Sequence, residues 1–442
     1  MEIPRNVREI IETLNTNGYE AYAVGGCVRD TLIGRRPEDW DITTSARPET
    51  VKALFHRTID TGIQHGTVTV MLGKKGYEVT TYRVDGDYHD GRHPDSVTFT
   101  PDLREDLKRR DFTINAMAYN EEKGIVDLFR GQEDLEKGII RCVGNPLHRF
   151  REDALRMMRA VRFSAQLGFS IESETFDAIR RLAPSIQKIS AERIQMELVK
   201  ILTSPHPDHL RLLYEAGLTA YILPEFDRMM ETPQNTPYHC YTVGEHTLAV
   251  LTHVPAQPVL RLAALLHDVG KPQCRTTDSS GQDHFYGHAG KGAEMACQIL
   301  KRLKLDNDTI RRTEQLIFHH SDSIDLNERS VRRALNHVGE ELFPSLLLLM
   351  EGDNMGKTPD GTNQRLDYLR QIREIYQEIL FRRDCISLKT LALTGDDLLK
   401  AGIPKGKKIG EILHYCLEQV LDDPDKNCHD LLLQMALDYF AE

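Results

Sequence analysis

Two aspartates stand two positions apart in the segment Asp39-Trp40-Asp41. In an extended strand, side chains at positions i and i+2 leave the same face, so the two carboxylates would lie side by side. Two hard oxygen ligands suit Mg²⁺, which keeps several waters and is usually completed by substrate phosphates. The same spacing also occurs in aspartates that simply face solvent.

A pair of glycines precedes these aspartates. The apolar residues Ala21 to Val24 predict a strand that leads into Gly25 and Gly26, and a short helix follows. Glycines at such a turn let backbone N–H groups and a helix N-terminus come close to a triphosphate. The turn therefore favours a metal- and phosphate-binding site over a solvent-facing pair of aspartates.

Segments further along could complete this site. The stretches Thr67 to Leu72 and Tyr77 to Tyr82 are rich in β-branched residues and predict a hairpin. Glu78, on the second strand, is either a third carboxylate for the metal or an ordinary surface glutamate. The polar, glycine-punctuated stretch from Arg83 to Ser96 predicts a mobile loop.

A second basic element follows the hairpin. The segment Leu107 to Tyr119 predicts a helix that begins near Arg110 and Asp111. An arginine beside two aspartates would neutralise phosphate charge in the bidentate manner that lysine cannot match. An ordinary ion pair at a helix entry explains the same residues.

From Arg149 onward, helical periodicity replaces the strand-like pattern. The segment REDALRMMRAVRFSAQLGF predicts an amphipathic helix with Asp153 and Arg156 one turn apart on its charged face. A carboxylate and a guanidinium could together recognise the amino donor and neighbouring acceptors of cytosine or adenine. A charged face of this kind is more commonly a solvated surface with intrahelical ion pairs.

Composition limits the class of protein. The 442 residues suffice for about three domains, and the formal net charge of −11 argues against a protein coated in basic surface. Eight scattered cysteines without a CxxC pair argue against a disulfide framework or a zinc knuckle. The aliphatic runs fall far short of the ~20 residues that cross a bilayer. With a polar N-terminus, the sequence predicts a soluble cytoplasmic protein with no membrane partner and no obligate protein partner.

The motifs GGCVRDTLIG, DWD, RRDFTINAMA, EDALRMMRAVRF and AERIQMEL occur in this order between residues 20 and 200. Together they resemble the class II tRNA nucleotidyltransferase and bacterial poly(A) polymerase family. The resemblance implies a polymerase-β-like head with Mg²⁺ on Asp39 and Asp41, and it implies that Asp153 and Arg156 act as a protein template for CTP and ATP. The further nucleotide contacts that it implies are Gly26, Arg29, Arg110, Arg159 and Arg162.

A separate set of histidines and aspartates, arranged as H…HD…H…HH…D, resembles the HD superfamily of metal-dependent phosphohydrolases. Each of these residues alone has an ordinary structural explanation. Imidazole and carboxylate ligands of this kind suit Mn, Fe, Ni or Zn. The resemblance assigns to a first metal His246, His267, Asp268 and Asp353, and to a second metal His288, His319 and His320.

The C-terminal stretch from Leu393 to Pro424 resembles the tRNA-binding tail of family members. Its lysines, on a glycine-rich turn before a helix, suit either phosphate contacts or an ordinary solvated turn; they are Lys405, Lys407 and Lys408. We therefore predict a multidomain protein with a mixed α/β head and an all-α remainder. The expected domains are a head (1–140), a neck (141–205), a helical body (206–236), an HD domain (237–365) and a tail (366–442).

The expected function is template-independent addition of CCA to the 3′ end of tRNA from CTP and ATP, with release of pyrophosphate. The loop from Arg83 to Ser96 matches a segment that family members need for switching to A, which favours full CCA addition. Poly(A) polymerase, or an enzyme that adds only A or only C, is the alternative within this class. An alternative from another class is an HD phosphohydrolase acting on nucleotides or cyclic phosphates, with the head as an RNA-docking module.

Overall fold

The computed structural model describes residues 1–86, 96–235, 241–357 and 362–441. The chain forms two compact units, Met1–Asp227 and Arg228–Glu442. The predicted architecture, a mixed α/β head followed by an almost entirely helical remainder, is confirmed. The finer domain boundaries remain predictions. The boundary expected after residue 365 falls within the helix Thr362–Arg382.

A seven-stranded sheet forms the centre of the head, with the strand order β3-β4-β5-β2-β1-β8-β9. The other strands of the described residues form short two-stranded pairs. The strands are β1 (Ala21–Val24), β2 (Asp41–Thr44), β3 (Thr58–Gly62), β4 (Thr67–Leu72), β5 (Lys75–Thr81), β6 (Arg83–Asp85), β7 (Val97–Phe99), β8 (Met117–Asn120), β9 (Gly124–Asp127), β10 (Ile139–Ile140), β11 (Ser170–Ile171), β12 (Thr276–Thr277) and β13 (Asp283–His284).

Helices cover this sheet and make up most of the first unit beyond it. Those of the first unit are α1 (Arg5–Thr16), α2 (Gly26–Leu32), α3 (Pro48–Leu54), α4 (Leu103–Lys108), α5 (Gly131–Lys137), α6 (Pro146–Glu152), α7 (Leu155–Leu167), α8 (Ser173–Leu182), α9 (Ala191–Leu202), α10 (Leu210–Glu215) and α11 (Thr219–Ile222), and the unit boundary falls inside α12 (Pro224–Glu231). The predicted helices at α1 and α3, strand β1 and hairpin β4–β5 are confirmed.

The register of the sheet decides which residues meet at its edge. β1 and β2 run antiparallel with Val24 opposite Asp41, so the Gly25 turn lies beside the start of β2. β2 and β5 run parallel with Ile42 beside Val79. The preceding residue on each strand is acidic, so two carboxylates become neighbours at this edge of the sheet.

The predicted helix over Leu107 to Tyr119 is wrong. α4 ends at Lys108, a single 3₁₀ turn covers Thr113–Asn115, and β8 then enters the sheet between β1 and β9. A short apolar run has no periodicity that separates a buried strand from a helix. Here pairing on both edges of β8 decides in favour of the strand.

The helix predicted through Asp153 is interrupted. α6 ends at Glu152, and Asp153 has an extended backbone with φ −143° and ψ 106° before α7 begins at Leu155. The ends of the predicted loop from Arg83 to Ser96 include β6, which pairs with β7. Residues 87–95 of that loop lie outside the described residues.

The described part of the second unit contains helices and the short strands β12 and β13. Its helices are α13 (Val243–His253), α14 (Pro258–Leu266), α15 (Lys271–Cys274), α16 (His288–Arg302), α17 (Asn307–His319), α18 (Glu328–Val338), α19 (Phe343–Met355), α20 (Thr362–Arg382), α21 (Gly395–Lys400), α22 (Lys407–Asp422) and α23 (His429–Ala441). None of the helices in the described ranges combines the length and apolar character that a membrane span requires.

Candidate active site and metal centre

Three carboxylates meet at the edge of the head sheet where β1 ends. Asp41 starts β2 directly beside Glu78 of β5, and Asp39 precedes it in the chain. Partial loss of hydration raises the pKa of Asp41, and Asp39 adds to this while Arg110 opposes it. The pKa of Glu78 is raised by partial loss of hydration and by the charges of Asp41 and Asp39.

Burial is the largest cause of both raised pKa values, and repulsion from the neighbouring carboxylates adds to it. A divalent cation would offset that repulsion, and carboxylate oxygens are the ligands that Mg²⁺ and similar hard cations prefer. The donor set therefore fits a divalent metal. The indole of Trp40, 7% exposed, packs into the head core, whereas Asp39 and Asp41 on either side of it are exposed.

The turn before the trio needs glycine. Gly25 has φ +83°, and a Cβ there would stand 3.1 Å from Nη1 of Arg110. Its N–H donates to the carbonyl of Met117 at 3.1 Å, which ties the turn to β8. The close approach keeps Arg110 next to the carboxylates and to the first turn of α2.

Replacing Gly25 by alanine should lower kcat/KM for nucleotide about tenfold, because the methyl group displaces Arg110 and the backbone is strained by on the order of 1–3 kcal/mol. Gly34→Ala is the matched control, since Gly34 has φ +73° but open space around its Cβ position. Steady-state kinetics with a tRNA substrate would separate the two. Equal losses in both variants would show that the contact with Arg110 is unimportant.

A buried carboxylate orients the arginines of the RRDF segment. Asp106 is fully buried, accepts from Arg109 at 2.8 Å and contacts Nη2 of Arg110 at 3.4 Å. It also accepts from the hydroxyl of Thr43 on β2 at 3.0 Å. Burial would raise the pKa of Asp106, but Arg109 and Arg110 hold it below its usual value. Our sequence reasoning missed Asp106, although its position four residues before Arg110 was a usable signal.

A chain of polar contacts links α2 to α7. Nη1 of Arg29 donates to Asn115 at 2.6 Å, Asn115 donates to Asp111 at 3.3 Å, and Arg159 donates to Asp111 at 2.8 Å. Burial alone would raise the pKa of Asp111, but Arg159 lowers it to about 2. The chain thus fixes two arginines, Arg29 of α2 and Arg159 of α7, through one buried carboxylate.

Asp111→Asn should lower the free energy of unfolding by about 2 kcal/mol at pH 7, as the pKa of Asp111 falls from 3.8 to about 2 on folding. A group whose pKa is lowered on folding stabilises the protein at every pH above its unfolded pKa. The difference in the free energy of unfolding between wild type and variant should therefore be equal at pH 7 and pH 5 and shrink only below about pH 4. Urea denaturation at each pH would measure it. Asp177→Asn, an exposed control on α8, should change stability by no more than about 0.5 kcal/mol. A difference that already changes between pH 7 and pH 5 would contradict the assignment.

Three guanidinium groups surround one aromatic ring on α7. Arg29, Arg159 and Arg162 lie 5.1, 5.4 and 4.0 Å from the ring centre of Phe163. Arg162 is also ion-paired to Glu197 of α9 at 2.6 Å. A cleft of about 490 Å³ joins two of these arginines to two of the three carboxylates; its lining includes Gly26, Arg29, Asp39, Asp41, Arg162, Phe163 and Lys200. The cleft thus combines a carboxylate edge with a cationic wall, as a nucleoside triphosphate requires.

The two predicted base-reading residues are both ion-paired. Arg156 donates to Glu152 at 2.5 Å and to the carbonyl of Arg109 at 3.3 Å. Asp153 accepts from Arg193 of α9 at 2.7 Å. The side chains are only partly exposed, so their orientation is set by these partners. Sequence reasoning missed Arg193, which is forty residues away in the chain.

The second unit brings histidines and aspartates together in two groups of three, whose ligand atoms lie within 4.8 Å of one another. The first is His246, His267 and Asp353, and the second is Asp268, His288 and His320. Asp268 stands between them, with Oδ2 at 3.2 Å from His267 and Oδ1 at 3.5 Å from His288. The structure therefore places Asp268 beside both groups, whereas the sequence assigned it to the first metal alone.

The four histidines of these groups present the same ring nitrogen inward. Their Nδ1 atoms lie 2.6–3.1 Å from backbone carbonyls, an arrangement that suits a proton on Nδ1 and turns Nε2 toward the neighbouring ligand groups. Metal-bound histidines commonly have this second hydrogen bond, which fixes the tautomer. Nε2 of His267 is buried and makes no hydrogen bond, although Asp268 is close. The donor set fits a divalent transition metal.

His319 does not join either group. Its Nδ1 lies 2.6 Å from Asp322, and its ring stacks on His337. Successive residues of a helix point about 100° apart, so His319 and His320 at the end of α17 cannot both face the same site. This corrects the predicted ligand set of the second metal. Two lysines also contact the aspartates: Lys271 lies 2.6 Å from Asp268 and Lys357 lies 2.5 Å from Asp353.

The lysines of the tail are exposed, as expected for either explanation of that turn. Lys405 precedes α22, and Lys407 and Lys408 form its first residues. Nζ of Lys408 lies 5.1 Å from the ring centre of Phe440. The N-terminus of α22 follows Gly406 and has no side-chain cap.

Family models match successive parts of the chain. A model described as the poly A polymerase head domain covers residues 21–141, and one described as the probable RNA and SrmB-binding site of polymerase A covers residues 168–230. A third, described as tRNA nucleotidyltransferase domain 2, covers residues 286–436. The matches thus extend over both compact units.

Relatives match this chain over nearly its whole length or over about half of it. The CCA-adding enzyme of Lactiplantibacillus plantarum is 38% identical over 434 residues, 97% of this chain and 95% of that protein. The CCA-adding enzyme of Geobacillus thermodenitrificans is 56% identical over 214 residues, 48% of this chain and 53% of that protein. The crystal structure of the Bacillus stearothermophilus CCA-adding enzyme in complex with CTP has a TM-score of 0.72 at 31% identity, covering 100% of this chain and 98% of that one.

Proposed function

The chain belongs to the family of CCA-adding enzymes, and from that premise we propose how its residues add CCA to the 3′ end of tRNA from CTP and ATP. The observation that carries the proposal is the cleft of the first unit, in which Asp39 and Asp41 face the cationic wall around Arg29 and Arg162. A triphosphate lying between them would have its charge neutralised on one side and its reacting phosphate beside the carboxylates on the other. The tRNA 3′-hydroxyl would then displace pyrophosphate.

The acidic trio is the proposed metal site of this reaction. Nucleotidyltransferases of this family use divalent metals, and we assign Mg²⁺ to Asp39 and Asp41 with Glu78 as the third carboxylate. Such ions, when bound, acidify the attacking hydroxyl and steady the leaving group. The protein's own residues hold the substrate in line: the Gly25–Gly26 turn admits the triphosphate, and Arg29 and Arg110 contact it.

Asp153 and Arg156 are the proposed readers of the base, with Arg159 and Arg162 beside them. A carboxylate accepts from the exocyclic amino group that cytosine and adenine share, and a guanidinium donates to the neighbouring ring acceptors. Uracil and guanine carry a keto oxygen where that amino group would be. The pair would therefore favour CTP and ATP over UTP and GTP.

Defined tRNA ends test the reaction. With tRNA that lacks CCA, or that ends in a single C, only CTP should be added; with tRNA that ends in CC, only ATP should be added. One pyrophosphate should be released for each nucleotide. Repeated addition of A to every substrate would instead favour poly(A) synthesis, and addition confined to C or to A would favour the single-nucleotide alternatives.

The histidine groups of the second unit are the proposed second metal centre, with a transition metal held by His246, His267, Asp268 and Asp353, and by His288 and His320. When bound, the metal would supply a Lewis acid for hydrolysis of a phosphate ester. Lys271, next to Asp268, would contact the phosphate. If this phosphohydrolase activity is absent, the domain would serve only to contact tRNA. If it is the main activity of the protein, the head would serve as an RNA-docking module.

Metal content and hydrolysis of bis-p-nitrophenyl phosphate test this second centre. The wild-type protein should retain a stoichiometric transition metal, and His267→Ala should lose both metal and hydrolysis while CCA addition continues. His319→Ala is the matched control and should keep both. Loss of metal in His319→Ala, or full retention in His267→Ala, would contradict the assignment.

Two further proposals follow from the substrate. We assign tRNA phosphate contacts to Lys405, Lys407 and Lys408, since exposed lysines at an uncapped helix N-terminus attract phosphate. We also assign the protein to the cytoplasm, because CCA-adding enzymes act on tRNA. Cell fractionation tests the location, and a weaker salt dependence of tRNA binding in the triple alanine variant tests the lysines.

A further inference from the structure

Both oxygens of the Asp153 carboxylate are engaged by the protein. Oδ1 accepts from the backbone N–H of Leu155 at 3.0 Å, which caps the first turn of α7. Oδ2 accepts from Nη2 of Arg193 at 2.7 Å, and Nη1 of Arg193 lies 3.5 Å from Oδ1. The guanidinium thus spans the carboxylate from one edge while the helix start holds it from another. The plane of the carboxylate is therefore fixed.

Arg193 comes from the first turn of α9, and the same face of that helix also binds Arg162 of the cleft. Glu197, one turn later, forms the ion pair with Arg162 at 2.6 Å. Residues four apart lie on the same side of a helix. α9 therefore holds Asp153 through Arg193 and the cleft residue Arg162 through Glu197, although Asp153 and Arg193 themselves are not among the residues that line the cleft.

We propose that Arg193 is a positioning residue that holds the Asp153 carboxylate in one orientation as an acceptor and thereby excludes UTP and GTP. The inference rests on the proposed role of Asp153. Cytosine and adenine offer an amino donor, whereas uracil and guanine offer a keto oxygen at the same edge. A carboxylate held by a guanidinium can accept from the amino group but has no proton to donate to the keto oxygen. A carboxylate without that partner is free to rotate away from the base edge.

Steady-state kinetics of Arg193→Met and Arg193→Lys test the proposal. In Arg193→Met, kcat/KM for CTP and ATP should fall roughly tenfold, mainly through KM, and the ratio of UTP to CTP incorporation should rise by a similar factor. Arg193→Lys should restore part of the selectivity, because it keeps the charge but not the bidentate geometry. Arg180→Met on α8, whose side chain contacts Phe176 and the carbonyl of Glu215, is the matched control and should leave the ratio unchanged.

All assays are run well below the melting temperature of each variant, so that a stability effect is separated from selectivity. If Arg193→Met keeps the wild-type ratio of UTP to CTP while Asp153→Ala loses it, the positioning role is wrong, whether or not the variant melts earlier. If Asp153→Ala itself keeps the wild-type discrimination, the base-reading role of Asp153 fails, and the inference fails with it. A kcat loss in Arg193→Met without any change in KM or selectivity would also overturn the proposal.

Discussion

Asp41→Asn is expected to reduce nucleotide addition to tRNA by about 10³-fold or more, because it removes a charged ligand from the edge where phosphate charge must be stabilised. The carboxylate stands beside Glu78 and near Asp39, and the charge of Arg110 opposes the rise of its pKa. Asparagine keeps the shape and the strand register. Single-turnover kinetics with CTP would measure the loss in the chemical step.

Asp60→Asn is the matched control for that variant. Asp60 also lies on a strand of the head sheet, but it is exposed and pairs with Lys52 at 2.8 Å. Addition by Asp60→Asn should stay within twofold or so of the wild type, as for surface substitutions in general. An Asp41→Asn enzyme that retains more than a tenth of the activity would contradict the assignment of the metal site to this edge. The metal content of the second unit should not change in either variant.

Asp153→Ala should collapse the preference for CTP and ATP over UTP and GTP. A good bidentate contact to a base edge is worth about 1–3 kcal/mol of discrimination, which corresponds to a factor of roughly 5 to 150. The measurement is kcat/KM for each of the four nucleotides on tRNA lacking its end. Asp177→Ala on α8 is the control, since Asp177 is exposed and pairs only with the neighbouring turn.

Unchanged discrimination in Asp153→Ala would mean that other groups of the cleft choose the base. Glu152 would then be the next residue to test, because it holds Arg156 at 2.5 Å. A loss of activity with all four nucleotides in equal proportion would also contradict base reading. It would indicate that Asp153 matters mainly as the cap of α7, through its bond to Leu155.

The sequence predicted the elements of the head best where local signals agree. The stripe of α1 and the β-branched hairpin have clear periods, and the structure confirms both. Spacing alone suggested that Asp39 and Asp41 share a face, but the place of Glu78 depends on the parallel pairing of β2 with β5. That pairing joins strands distant in the chain, so no local pattern could decide between a metal ligand and a surface glutamate.

The errors occur where tertiary contacts override local preference. Phe112 to Ala118 is apolar enough for a helix, but pairing with β1 and β9 makes Met117 and Ala118 the start of a strand. At Asp153, a regular helical pattern conceals a break, because the carboxylate caps the next helix instead of continuing the first one.

The metal groups illustrate the same limit. The order of histidines along the chain identified the cluster, but adjacency in sequence misassigned His319, which the helix turns toward Asp322. The partners Asp106, Asn115 and Arg193 were missed because each acts through a neighbour from another element. Patterns in a single sequence identify candidate ligands and binding residues more readily than the residues that position them.

The most direct test of the account is to supply the wild-type protein with all four nucleotides and tRNA lacking its 3′ end, and to sequence the products. The account predicts that the added end reads C, C, A and stops there, with U and G absent. Asp41→Asn should leave the tRNA unextended in the same mixture. Long runs of A, products without C, or frequent U and G in the wild-type reaction would contradict it.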